Sequence, residues 1–166
     1  MIKMRLDLPI LITGKAKIRP LTKKITCGRI VDPDSISTMA RKNYKILVID
    51  DEPEITEIIK SFLSSAGYDV LTENSSVMGV EKAKIYKPDL IILDIMMPVM
   101  DGYEVCASIK KDMELSGIPI LLLTGKDAHE DGGRSFQSGA DLFIKKPFSC
   151  ERLLQMVKMV LISVAR

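Results

Sequence analysis

The sequence is short of the residues that build thiolate metal sites and disulfide frameworks. Its three cysteines, Cys27, Cys106 and Cys150, are odd in number, far apart and form no Cys-x-x-Cys pair. That argues against a disulfide scaffold or a zinc site and fits a reducing compartment. The single histidine, His129, lies in a polar stretch without a serine or cysteine nucleophile at a useful spacing, and it reads as a surface residue. No apolar run reaches the roughly 18–20 residues needed to cross a bilayer. The short apolar patch near Met1 is interrupted by Asp7 and Pro9, and no small-residue cleavage site follows it. The expectation is a cytoplasmic protein with no membrane partner.

What is present divides by charge. Residues 1–43 hold ten lysines and arginines against three aspartates, while the rest of the chain holds fourteen basic against nineteen acidic residues. Two stretches of opposite sign read as two different things. The first is broken by Gly14, Pro20, Gly28 and Pro33 and is too irregular to bury its own core. It is expected to be a flexible basic extension, with Met39 as an alternative start. No aromatic residue is interleaved with its basic ones for base stacking, so nucleic acid is not expected as a partner.

From Tyr44 the text changes. Lys45–Ile49, Leu90–Leu93 and Ile118–Leu123 are continuous apolar runs of the kind found in strands buried on both faces. Tyr68–Leu71 and Asp141–Ile144 add two shorter strands. Helical spacing of apolar residues follows Pro53, Ser75 or Ser76, Tyr103 and Cys150, with Gly67 and Pro88 as stops. A fourth helix is expected after Gly125, but Gly132-Gly133 falls in its middle, so it should be short, bent or mobile. Strands alternating with helices predict an α/β fold, a doubly wound five-stranded parallel sheet with helices on both faces.

The strands end in chemistry. The first runs into Asp50-Asp51, the third into Asp94, the fourth into Thr124 and the fifth into Lys146. In a parallel sheet these ends lie along one edge, where ligands collect. Taken singly, each has an ordinary explanation as a helix start, a turn former or a surface lysine. Taken together they form a set. Three clustered carboxylates repel unless a cation joins them, and Mg²⁺ suits an all-oxygen donor set. A cation, an ammonium and a hydroxyl are what a transferring phosphoryl group requires around its oxygens, and a free carboxylate can accept that group.

The stretches VIDDEPE, LDIMMPVMDG, LLLTG and SGADLFIKKPF, in this order, make residues 44–166 resemble the receiver domain of two-component response regulators. The resemblance implies a flavodoxin-like strand order 2-1-3-4-5. It implies that Asp94 accepts phosphate from a histidine kinase or a histidine phosphotransfer protein. It further implies Mg²⁺ held by Asp51, by Asp50 through water, by Asp94 and by the backbone carbonyl of Met96. Lys146, before a cis bond to Pro147, would pair with the phosphoryl oxygens. Thr124 and Phe143 would be the coupled switch residues, changing a docking face formed by the fourth helix, fifth strand and fifth helix for a downstream protein.

Three features concern this particular copy. Met96 and Lys126 sit where the family tunes phosphate loss, and a methionine cannot orient an attacking water, so slow self-dephosphorylation is expected. The last helix carries more apolar residues, from Leu153 to Val164, than one core stripe needs, which suggests a partner or homodimer surface. No output module follows Arg166, so signalling by docking is expected. Two rival readings are a phosphorylation-independent scaffold and a Mg²⁺-dependent phosphohydrolase. The second lacks a carboxylate two residues beyond Asp94 to act as general acid.

Overall fold

The computed structural model describes residues 43–125 and 137–164. In chain order these form β1 (Lys45–Ile49), α1 (Pro53–Ser65), β2 (Asp69–Glu73), α2 (Ser76–Tyr86), β3 (Leu90–Asp94), α3 (Gly102–Lys111), β4 (Ile120–Thr124), β5 (Leu142–Lys145) and α4 (Cys150–Val164). The expected basic extension and the glycine-broken helix after Gly125, with Lys126 and His129, lie outside the described residues. All four strand pairings are parallel and the order is β2-β1-β3-β4-β5, as the resemblance implies.

The apolar runs make two cores from one sheet. Side chains alternate across a strand, so Ile46, Val48, Leu90, Ile92, Leu121 and Leu123 face one side and pack with Ile59 and Leu63 of α1 and Leu153, Val157 and Val160 of α4. Leu47, Ile49, Ile91, Leu93 and Leu122 face the other, with Ala83 of α2 and Val105, Cys106 and Ile109 of α3. β3 and β4 are buried along their whole length. Each fully buried Leu or Ile contributes about 1.5–3 kcal/mol, so these central strands carry much of the folding drive.

The element ends are set by local chemistry. Pro53 opens α1 at its first turn, where its missing N–H costs nothing. Ser75 caps α2 by accepting from the Met78 amide. α3 starts at Gly102, one residue earlier than the periodicity suggests, because Asp101 and Glu104 form a reciprocal capping box. β2 runs to Glu73 rather than Leu71, since its ladder with β1 continues through polar Thr72 and Glu73. β4 begins at Ile120 rather than Ile118, just after Pro119, which has no N–H to give. After α1 the backbone turns left-handed at Gly67, φ +92°, which a residue without Cβ permits.

Candidate functional site

The carboxyl ends of β1, β3, β4 and β5 bring the expected residues to one edge. Asp50 follows β1, Asp94 ends β3 and Thr124 ends β4, and all three are buried, at 0%, 3% and 5% exposure. Lys146 follows β5, and its backbone N–H donates to the Thr124 carbonyl. The Lys146–Pro147 bond is cis. One ammonium serves two carboxylates: Lys146 Nζ lies 2.6 Å from Asp94 Oδ1 and 3.0 Å from Asp50 Oδ2.

The second oxygen of each carboxylate is also held. Asp94 Oδ2 accepts from the Met96 amide at 2.7 Å, and Asp50 Oδ1 from the Glu52 amide at 3.0 Å. Burial pushes the Asp50 carboxyl above its ordinary value, and the neighbouring Asp94 charge adds to this, against the opposing bonds from Glu52 and Lys146. Burial works to lower the Lys146 ammonium, but its bonds to Asp94 and Asp50 prevail and raise it.

Ligand oxygens of Asp50, Asp51 and Asp94 lie within 4.8 Å of one another. Three carboxylates against one ammonium leave two negative charges in a largely buried space, and the donors are all hard oxygen. That set fits a hard divalent cation. Asp51 is half-buried and carries no ion pair among the described residues.

Gly102 explains how α3 starts so close to this pocket. A Cβ there would overlap the Asp94 carbonyl oxygen and the Ile95 Cα, and the Gly102 amide donates to the Ile95 carbonyl at 3.0 Å. Met96 points outward at 69% exposure. Phe143, on β5, is half-buried and rests on the core beneath α3. On α4 the apolar surplus is smaller than the sequence suggests. Leu153, Met156, Val157, Val160 and Leu161 are buried, leaving Met159 and Ile162 exposed.

Two polar residues escaped the sequence reading. Asn74 donates from Nδ2 to the Asp50 carbonyl at 2.7 Å and to Thr56 Oγ1 at 3.2 Å. The one hint was position: Asn74 directly follows β2 at the same sheet edge.

Residues 46–158 match the model of the response regulator receiver domain, and the chain belongs to that family. It is 39% identical over 117 residues to the DNA-binding dual master transcriptional regulator RpaA of Synechocystis, covering 70% of this chain and 48% of that protein. It is 41% identical over 119 residues to the alkaline phosphatase synthesis transcriptional regulatory protein PhoP of Bacillus subtilis, covering 72% and 49%. The chain thus spans about half the length of these curated relatives. The DNA-binding relative leaves the expectation of no nucleic-acid partner without support.

Among solved structures, the chemotaxis protein CheY4 of Vibrio cholerae matches with a TM-score of 0.68 and 32% identity, covering 72% of this chain and 99% of that one. The receiver domain of the sensor histidine kinase PA1611 of Pseudomonas aeruginosa matches with a TM-score of 0.66 and 27% identity, covering 72% and 98%; it holds a magnesium ion in its active-site cleft. No helix among the described residues is long and apolar enough to cross a membrane.

Proposed function

We propose that this chain is the phosphoacceptor of a two-component relay, with residues 44–166 as the receiver and residues 1–43 as a basic extension. The observation that carries the reading is the shared ammonium of Lys146, 2.6 Å from Asp94 and 3.0 Å from Asp50 at the edge of a three-carboxylate cluster. An Asp94 oxygen attacks phosphorus, the P–N bond of a phosphohistidine on the donor kinase or phosphotransfer protein breaks, and the imidazole leaves with the bonding pair. Asp50, Asp51, Asp94 and the Met96 carbonyl are the residues to hold Mg²⁺. When bound, the ion supplies positive charge against the phosphoryl oxygens. Lys146 exchanges part of its pairing with Asp94 for those oxygens, and the Thr124 hydroxyl joins it from the end of β4.

The reading extends to the output. Thr124 and half-buried Phe143 couple the pocket to the face of β5 and α4, where a downstream protein or a second copy docks. Exposed Met159 and Ile162 are the apolar part of that face. Gel filtration with and without a phosphoryl mimic tests self-association. The outward Met96 supports slow loss of the phosphoryl group, and decay of the adduct over many minutes is the expected result.

Incubation with acetyl phosphate and Mg²⁺ followed by intact-mass spectrometry tests the acceptor. The expected result is one Mg²⁺-dependent phosphoryl adduct in the native chain and none in Asp94→Ala. An adduct retained in Asp94→Ala overturns the assignment. A second reading, favoured by the names of the two curated relatives, makes the phosphorylated receiver the control of DNA binding. A phosphorylation-dependent, salt-sensitive shift of duplex DNA tests it.

A further inference from the structure

The turn after β2 grips the backbone on both sides of the acidic pocket. On one side, the Asp50 amide donates to the Glu73 carbonyl at 3.2 Å. The Asp50 carbonyl in turn accepts from Asn74 Nδ2 at 2.7 Å. The side chain thus prolongs the β1–β2 ladder by one bond beyond its last residue pair, Ile49 and Glu73. The second hydrogen of the same amide reaches Thr56 Oγ1 at 3.2 Å, and the Thr56 hydroxyl donates to the Pro53 carbonyl at 2.9 Å. Asn74 therefore ties the end of β1 to the first turn of α1, spanning the segment that carries Asp51. On the other side, Ser76 donates to the Pro98 carbonyl at 3.0 Å, in the loop between Asp94 and α3.

These bonds differ from the packing that holds the fold. Thr56 and Asp50 are buried, but Asn74 itself is exposed, so no core contact depends on it. What depends on it is direction. The chain from Asp50 to Pro53 makes a sharp exit from the sheet, and the spread of the Asp50 and Asp51 carboxylates follows from where that exit is fixed. Hydrogen-bonding partners that orient metal-binding residues commonly change metal affinity by about 10–100-fold when removed.

We propose that Asn74, with Thr56 as its buried anchor, is a positioning residue for the divalent cation site, holding the Asp50–Asp51 loop at the spread that lets both carboxylates face Asp94. The proposal rests on the metal reading given above. Residues that touch the cation are not altered in its test.

The test is calorimetric titration of the full chain with MgCl₂, comparing the native protein with Asn74→Ala, Thr56→Val and Thr56→Ser. Melting temperatures without Mg²⁺ and acetyl phosphate labelling rates over a range of Mg²⁺ concentrations are taken in parallel. Asn74→Ala is expected to bind Mg²⁺ about tenfold more weakly, with an unchanged metal-free melting temperature and a labelling rate that recovers at saturating Mg²⁺. Thr56→Val should lose part of the affinity, and Thr56→Ser, which keeps the hydroxyl, should retain it. Native affinity in Asn74→Ala overturns the proposal, and so does a loss of affinity accompanied by an equal loss of metal-free stability. A native chain that binds no Mg²⁺ overturns the metal reading and this proposal with it, whereas native binding with an indifferent Asn74→Ala overturns only the proposal.

Discussion

The two edges of the sheet use the same pair of residue types to opposite ends. At the edge where the strands begin, Lys110 Nζ lies 2.8 Å from Asp141 Oδ2 and also donates to the Ile118 carbonyl at 2.9 Å. Asp141 Oδ2 accepts as well from the Ile120 amide at 2.8 Å. One lysine meets one carboxylate, and the remaining bonds go to backbone. At the edge where the strands end, one lysine meets two carboxylates with a third beside them. The first arrangement is balanced and closes the loops around β4 and β5. The second carries surplus negative charge and has a reason to take up a cation. Charge balance, rather than residue type, separates a brace from a pocket that suits a cation.

Removing the lysine at each edge tests that contrast. Lys146→Met leaves buried Asp50 and Asp94 uncompensated, so metal-free stability should fall by about 3 kcal/mol, and labelling by acetyl phosphate should slow by about 100-fold or more. Chemical denaturation and time-resolved mass spectrometry read the two effects. Lys110→Met should lower stability by only about 1 kcal/mol, because Asp141 is partly exposed and its charge is screened, and it should leave labelling unchanged. A labelling defect in Lys110→Met would break the comparison.

The pH dependence sharpens it. Pairing holds the Lys146 ammonium above its ordinary value of 10.5 despite burial. A group raised on folding stabilises fully below its unfolded value and stops doing so as pH climbs through the folded one. The stability gap between the native chain and Lys146→Met should therefore close as pH climbs above about 10.

The smallest effect belongs to Glu73, at the end of β2 beside the acidic pocket. Burial works to raise its carboxyl, but bonds from Lys82, 2.7 Å away, and from the Ser75 amide hold it below its ordinary value of 4.5. Its contribution is present above that value and lost as pH falls through the folded one. Lys82→Ala should make the acid limb of the stability curve shallower by a small amount, seen in melts from pH 6 down to about pH 3.

How much of this was legible follows from sequence distance. β1, β3 and β4 could be read directly, because strands buried on both faces leave uninterrupted apolar runs. The residues that end them could be read with them. The ends of β2 and β5 could not, because Thr72, Glu73 and Lys145 belong to the ladder through backbone bonds that carry no side-chain pattern. Asn74 and Thr56 were hidden for a related reason. Asn74 reaches the Asp50 carbonyl 24 residues away and the Thr56 hydroxyl 18 residues away, and neither pairing repeats with any period. The brace of Lys110 and Asp141 joins residues 31 apart, and no local pattern marks that pairing. The surplus on α4 was overestimated because the core it meets accepts a wider stripe than a single row.

The short span between Lys146 and its two aspartates also sets what the pocket ignores. Mobile ions screen charges over roughly 8–10 Å at ordinary ionic strength, far more than the 2.6–3.0 Å separating these groups, and both aspartates are buried. Salt will loosen a pair like Lys87 and Glu114, which are 3.9 Å apart and open to solvent. It will hardly touch the triad. The charge balance of the pocket is thus insulated from the surrounding electrolyte and responds chiefly to charges delivered inside it.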